Sequence, residues 1–125
     1  MTKARLLTRY VRCINNKAYV GHKDQAWPDY HLATLVVGQI YKIAPPAEND
    51  GDLLRVIDES GEDYLYPARY FEPYTLKGDE HATETITVHL EPALKNILRA
   101  EALAAHGSMS ALLRAWIDER LDLPA

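Results

Sequence analysis

Apolar and polar positions fall into their clearest pattern near the end of this chain. Thr85, Thr87 and His89 alternate with Ile86, Val88 and Leu90, the period-2 arrangement of a strand with one apolar face. Pro92 follows, where a helix can begin because the missing N–H would have had no intrahelical partner. Leu94, Ile97, Leu98, Ala102 and Ala105 then recur at helical spacing and stop at His106 and Gly107, with Glu101 inside that stripe and Leu103 off it. Ser108 or Ser110 can cap a second helix whose apolar side is Met109, Leu112, Leu113, Trp116, Ile117 and Leu121. Residues 84–125 are therefore expected to form strand–helix–helix.

The first part of the chain reads differently. Residues 1–9 form a polar arm, and residues 10–14 a first strand with Val11 and Cys13, or their alternates, facing inward. Asn15 and Asn16 mark a turn. Residues 17–34 show no clean period and are expected to be a long loop pinned by Tyr19, Trp27 and Tyr30. Residues 37–43 alternate as a strand, with Val37, Ile40 and Ile43 as candidates for its buried side. The Pro-, Asn- and Gly-rich residues 44–52 end that strand. Strands over residues 53–58 and 63–66 flank a tight turn at residues 59–62, and residues 67–71 predict a single 3-10 turn before a closing strand at residues 71–74. Five short strands with a long first loop point to a small closed barrel over residues 10–75. A polar linker follows at residues 76–83. The expected class is α+β: a small β-barrel, then a β-α-α unit.

One strand and two short helices cannot bury themselves, because the strand leaves both edges unpaired and about 40 residues make too small a core. Two copies can. Their strands would pair as an antiparallel ribbon over four helices, with Ile86, Val88, Leu90, Leu94, Leu98, Leu112, Leu113, Trp116 and Ile117 as the dimer core. Thr85, Thr87 and His89 would then face outward on a ribbon that fits the major groove of DNA.

Those residues resemble the ribbon-helix-helix DNA-binding proteins, relatives of the Arc and methionine repressors. TITVHL looks like the ribbon, and SMSALLRAWIDERL is similar to the second helix. The resemblance implies an obligate homodimer, ribbon side chains (here Thr85, Thr87 and His89) on base edges, and a DNA phosphate held at Ser108 and Ser110, the start of the second helix. Many members repress their own operon, and many are antitoxins. A second resemblance covers the barrel: YLYPARYFEPY is similar to the SH3 pattern of an apolar strand, a Pro-x-x-Tyr turn and a last strand. It implies a bacterial SH3-like fold. Pro67 and Tyr70 would align with peptide-groove residues of that family, yet the same residues are needed to build the turn.

Charge qualifies this picture. The net charge of −4 is unevenly spread: residues 1–23 carry six basic side chains and no acid, residues 24–81 a balance of −8, and residues 82–125 a balance of −2. Nucleic-acid binding draws most of its affinity from phosphate neutralisation, so the basic N-terminal block would have to help if it lies near the ribbon. A solvated basic terminus is its plainer explanation. The single cysteine, Cys13, rules out an internal disulfide and suits a reducing cytoplasm. Neither a secretory signal nor a membrane span is expected.

Candidate chemistry is sparse. His22, Asp24 and His31 share one loop without metal-ligand spacing, so no metal is expected. No Gly-rich phosphate loop is present, Cys13 reads as core rather than nucleophile, and the paired acids at Asp58-Glu59 and Glu62-Asp63 bracket a turn. Neither an enzyme nor a cofactor is expected. The expected function is that of a cytoplasmic, homodimeric DNA-binding regulator, with DNA and a second copy as partners. The alternative is a dimeric scaffold whose barrels bind a protein through Trp27, Tyr30, Tyr66 and Tyr70.

Overall fold

A computed structural model describes residues 5–20, 25–76 and 81–123. The chain is α+β. Strands β1 (Arg5–Cys13), β4 (Ile40–Ile43), β5 (Leu53–Ile57), β6 (Asp63–Pro67) and β7 (Phe71–Leu76) form one antiparallel sheet in the order β6-β5-β4-β1-β7. A separate two-stranded hairpin, β2 (Lys17–Val20) with β3 (Gln25–His31), lies between β1 and β4 in the chain. Helices α1 (Pro92–Ala104) and α2 (Met109–Leu121) follow.

Several expectations are met. The strand at Leu53–Ile57, the turn after Asp58 and the strand at Asp63–Pro67 form a hairpin in continuous register from Leu53↔Pro67 to Ile57↔Asp63. Gly61 takes a left-handed φ of 83° in its turn, a conformation that glycine adopts without steric cost. The single 3-10 turn is Ala68–Tyr70. It carries Tyr70 into a core made with Cys13, Leu35, Tyr41, Val56, Tyr66 and Phe71.

Four expectations are corrected. The sheet is not closed: β6 and β7 are its edges, and each carries a proline (Pro67, Pro73) that has no N–H to give to a further ladder. The polar arm is not separate, since β1 begins at Arg5 and pairs Arg5 and Leu6 with Leu76 and Thr75 of β7. The expected loop over residues 17–34 contains the β2–β3 hairpin, whose register slips between Lys17↔His31 and Tyr19↔Ala26. That irregularity, with Pro28 inside β3, erases the period-2 signal. Finally, the strand expected at residues 37–43 starts only at Ile40, after a turn in which Gly38 has φ 95°. Tyr41 is its buried residue: Ile40 points to the opposite face of the strand, and Val37 lies ahead of it in the turn.

The hairpin is held over the core by tyrosines. The Tyr19 ring meets Tyr66 and Tyr70 edge-on at 6.2 and 5.9 Å, and its hydroxyl donates to the Leu65 carbonyl on edge strand β6. Tyr70 returns a hydroxyl bond to the Lys17 carbonyl at 2.8 Å. At the other end, Arg9 of β1 donates to the Leu121 and Asp122 carbonyls that close α2. A cation there is favoured by the helix dipole and satisfies orphan carbonyls.

Candidate functional site

The β-α-α stretch begins with a segment, residues 84–90, that belongs to no helix or strand among the described residues. Among the described residues, no backbone group of residues 84–90 makes a hydrogen bond. The expected strand is therefore not formed within one chain. Its alternation is nonetheless exposed on both sides: Thr85, Thr87 and His89 are open to solvent, and so are Ile86 (87 % exposed) and Val88 (67 %). Apolar side chains of that size in water are individually ordinary. A consecutive set leading into two further apolar faces is not.

The helices are built as their local signals require. Pro92 opens α1. His106 takes a left-handed φ of 58° after its end, and the Gly107 N–H returns to the Ala102 carbonyl at 3.1 Å, the pairing of a helix C-cap. Ser108 is the N-cap of α2: its hydroxyl accepts from the Ala111 N–H at 3.0 Å. Ser110 lies within the first turn and does not cap. The α2 N-terminus so formed is a positive dipole end, the chemistry an anion requires.

Among the described residues, Leu98 and Ala102 are the buried ones of the two helices. Leu112 is half-buried, whereas Leu90, Leu94, Leu113, Trp116 and Ile117 remain exposed. Of the expected dimer core, then, Leu98 is already covered within one chain and the rest is wholly or partly open. A groove of about 200 Å³, apolar but for Glu101, is lined by Leu90, Leu94 and Ile97 and by Leu113 and Trp116 of α2. Ile97 and Leu121, both exposed, extend that surface beyond the core set expected from the sequence. Their helical spacing was the available signal.

The basic N-terminal block is partly committed elsewhere. Arg9 holds the end of α2, and Arg12 pairs with Glu72 at 2.5 Å. The barrel's expected aromatic surface also changes character. Tyr70 is fully buried and Tyr66 nearly so, and both hydroxyls bond within the chain. Trp27 and Tyr30 lie on β3, and their side chains are outside the described residues. A shallow depression elsewhere on the sheet is lined by Ala44, Pro45, Ile57, Glu62, Asp63 and Tyr64. Its charges are spoken for: Asp63 accepts from Arg55 at 3.1 Å, and Glu62 accepts from the Tyr64 hydroxyl at 3.1 Å.

Other candidate chemistry resolves into structure. His22 and Asp24 lie outside the described residues, and His31 meets the Asn16 side chain at 2.9 Å. Cys13 is fully buried, and burial pushes its thiol pKa up, away from the thiolate that reactivity needs. Among the described residues no group of three His, Cys, Asp or Glu could hold a metal ion, and no helix is long and apolar enough to cross a membrane. Comparison with protein-family models, curated proteins and solved structures finds no match to this chain.

Proposed function

We propose that this protein is a homodimeric, sequence-specific DNA-binding regulator of ribbon-helix-helix type, carrying an SH3-like unit ahead of its DNA-binding unit. One observation carries the proposal: residues 84–90 belong to no helix or strand, have no backbone partners among the described residues, and alternate apolar with polar. Pairing with the same segment of a second copy satisfies that backbone, buries Ile86, Val88 and Leu90 over the open helix groove, and turns Thr85, Thr87 and His89 outward together. The two-stranded face so made has the width of the major groove, with base edges within reach of the two threonines and His89. Ser108 and Ser110 at the α2 N-terminus would hold the phosphate. The strand order, the hairpin after β1 and the 3-10 turn before β7 support the SH3-like reading of the first unit.

The test is fluorescence anisotropy against DNA from the gene's own promoter and a scrambled duplex, over a salt series. Tight, selective binding that weakens steeply with salt is expected. Thr85→Ala with Thr87→Ala should abolish the preference and leave the dimer intact. Equal weak binding to both duplexes, or undiminished selectivity in the double variant, would overturn the proposal.

A second reading keeps the dimer without the DNA. The balance of −2 over residues 82–125 favours it, since repulsion from phosphate must be overcome. It predicts a dimeric scaffold whose protein contacts respond little to salt. The burial of Tyr66 and Tyr70 removes two of the four aromatic residues that surface would use.

A further inference from the structure

We infer that two copies of this chain are keyed together by a reciprocal ion pair, Glu101 of each with Arg120 of the other. The inference rests on the homodimer proposed above.

Two charged side chains border the open apolar face, each in its own depression. Glu101 lines the groove that Leu113 and Trp116 share with α1. A second depression also uses Leu113 and Trp116, then continues over Ile117 and Leu121 to Arg120. The depressions that hold the two charges therefore meet at the same pair of residues.

Among the described residues, neither charge is answered within its own chain. The residues three and four positions from Glu101 along α1 are Ile97, Leu98, Ala104 and Ala105, so the helix offers it no cation at the spacings where side chains meet. From α2 its groove neighbours are Leu113 and Trp116, and from the segment before α1 Leu90. Arg120 has Trp116 and Ile117 one turn back. Among the described residues, neither forms an ion pair.

Covering this face changes what those charges can tolerate. A carboxylate closed under apolar side chains is strongly disfavoured unless a cation comes with the cover. A two-fold interface is isologous: if residue i of one copy meets residue j of the other, then j also meets i. A two-fold axis passing close to Leu113 and Trp116 lays the Glu101 side of one copy over the Arg120 side of the other. The single acid and single base then satisfy each other twice, which selects a second copy as the occupant and fixes its orientation.

Charge reversal in the full chain tests the pairing, read by sedimentation velocity with far-UV circular dichroism as the check on folding. Glu101→Arg alone sets Arg against Arg twice, and Arg120→Glu alone sets Glu against Glu twice. Each should weaken the dimer at least ~10-fold. An equimolar mixture of the two variants restores both attractive pairs and should form a heterodimer within ~3-fold of wild-type affinity, a rescue that misfolded chains could not give. The chain carrying both substitutions should dimerise with itself and fail to exchange with wild type. Single variants that dimerise like wild type, or a mixture no tighter than its parents, would overturn the pairing while leaving the homodimer standing. A wild-type chain that sediments as a monomer throughout would instead overturn the homodimer, and the pairing with it.

Discussion

The Tyr66 hydroxyl donates to the Asp58 carboxylate at 2.5 Å inside the first unit, where both residues are buried. The bond ties edge strand β6 to the end of β5. Thr34 joins it, with its hydroxyl 2.8 Å from that of Tyr66, and Ser60 bonds the other Asp58 oxygen through both its hydroxyl and its N–H. A buried carboxylate is tolerated here because hydrogen bonds satisfy both its oxygens.

Tyr66→Phe keeps the ring, and with it the edge-on contacts to Tyr19 and Phe71 at 6.2 Å. It leaves an Asp58 oxygen without its donor. A loss of about 1–3 kcal/mol is expected in urea unfolding, the usual cost of a stranded buried polar group. An unchanged midpoint would show that the network contributes nothing.

The same groups set the pH range of stability. Burial pushes the Asp58 pKa up, but hydrogen bonds from Ser60 and Tyr66 outweigh it and hold the carboxyl below its usual value; the Arg55 guanidinium does the same for Asp50. A carboxyl depressed in the folded state stabilises above its unfolded pKa and loses that contribution as pH falls through the folded one. Melting temperature should therefore hold from neutrality to pH ~5 and fall below pH ~4. Asp58→Asn should flatten the fall.

The alkaline limb has the opposite sign. Burial pushes Tyr41 up to about 12 and raises Tyr66 as well, with Asp58 adding to the latter. Their contribution is present below the ordinary tyrosine pKa and is lost as pH rises beyond ~10. Tyrosine absorbance followed through an alkaline titration should show a late fraction that ionises only with unfolding.

Val88 is exposed in the single chain, so Val88→Asp should alter the first unit's stability by no more than ~0.5 kcal/mol. In the proposed ribbon it would place a carboxylate on the buried face. Sedimentation should find a monomer whose near-UV circular dichroism from the tyrosine core is unchanged. A persistent dimer would move the interface away from the ribbon.

Ser108→Ala removes the side-chain acceptor for the Ala111 N–H and should cost roughly 1 kcal/mol of stability. Ser110→Ala, inside the helix, should be close to neutral. Thermal melts followed at 222 nm distinguish the two, and equal losses would mean that the cap is not where the local geometry puts it.

What the sequence determined by itself is what neighbours along the chain decide. Pro92, Gly107 and Ser108 delimit the two helices because their effects act within one turn of backbone. The turns at Gly61 and at Ala68–Tyr70 are equally local. The open faces of α1 and α2 were legible too, since helical spacing alone puts Leu94 and Ile97, or Leu113, Trp116 and Ile117, on one side.

Tertiary structure decided the rest. The β2–β3 hairpin is defined by Tyr19 docking on Tyr66, Tyr70 and the Leu65 carbonyl, contacts with residues more than forty positions away. The choice of Tyr41 over Ile40 as the buried residue depends on the Tyr41 hydroxyl accepting from the Val36 N–H at 2.7 Å, which hydrophobicity does not report. Whether the sheet closes was also beyond the sequence, because closure depends on which edges carry N–H groups toward each other. Residues 84–90 mark the boundary between the two kinds of information. Their alternation writes a strand, but a strand exists only when a second one supplies its hydrogen bonds.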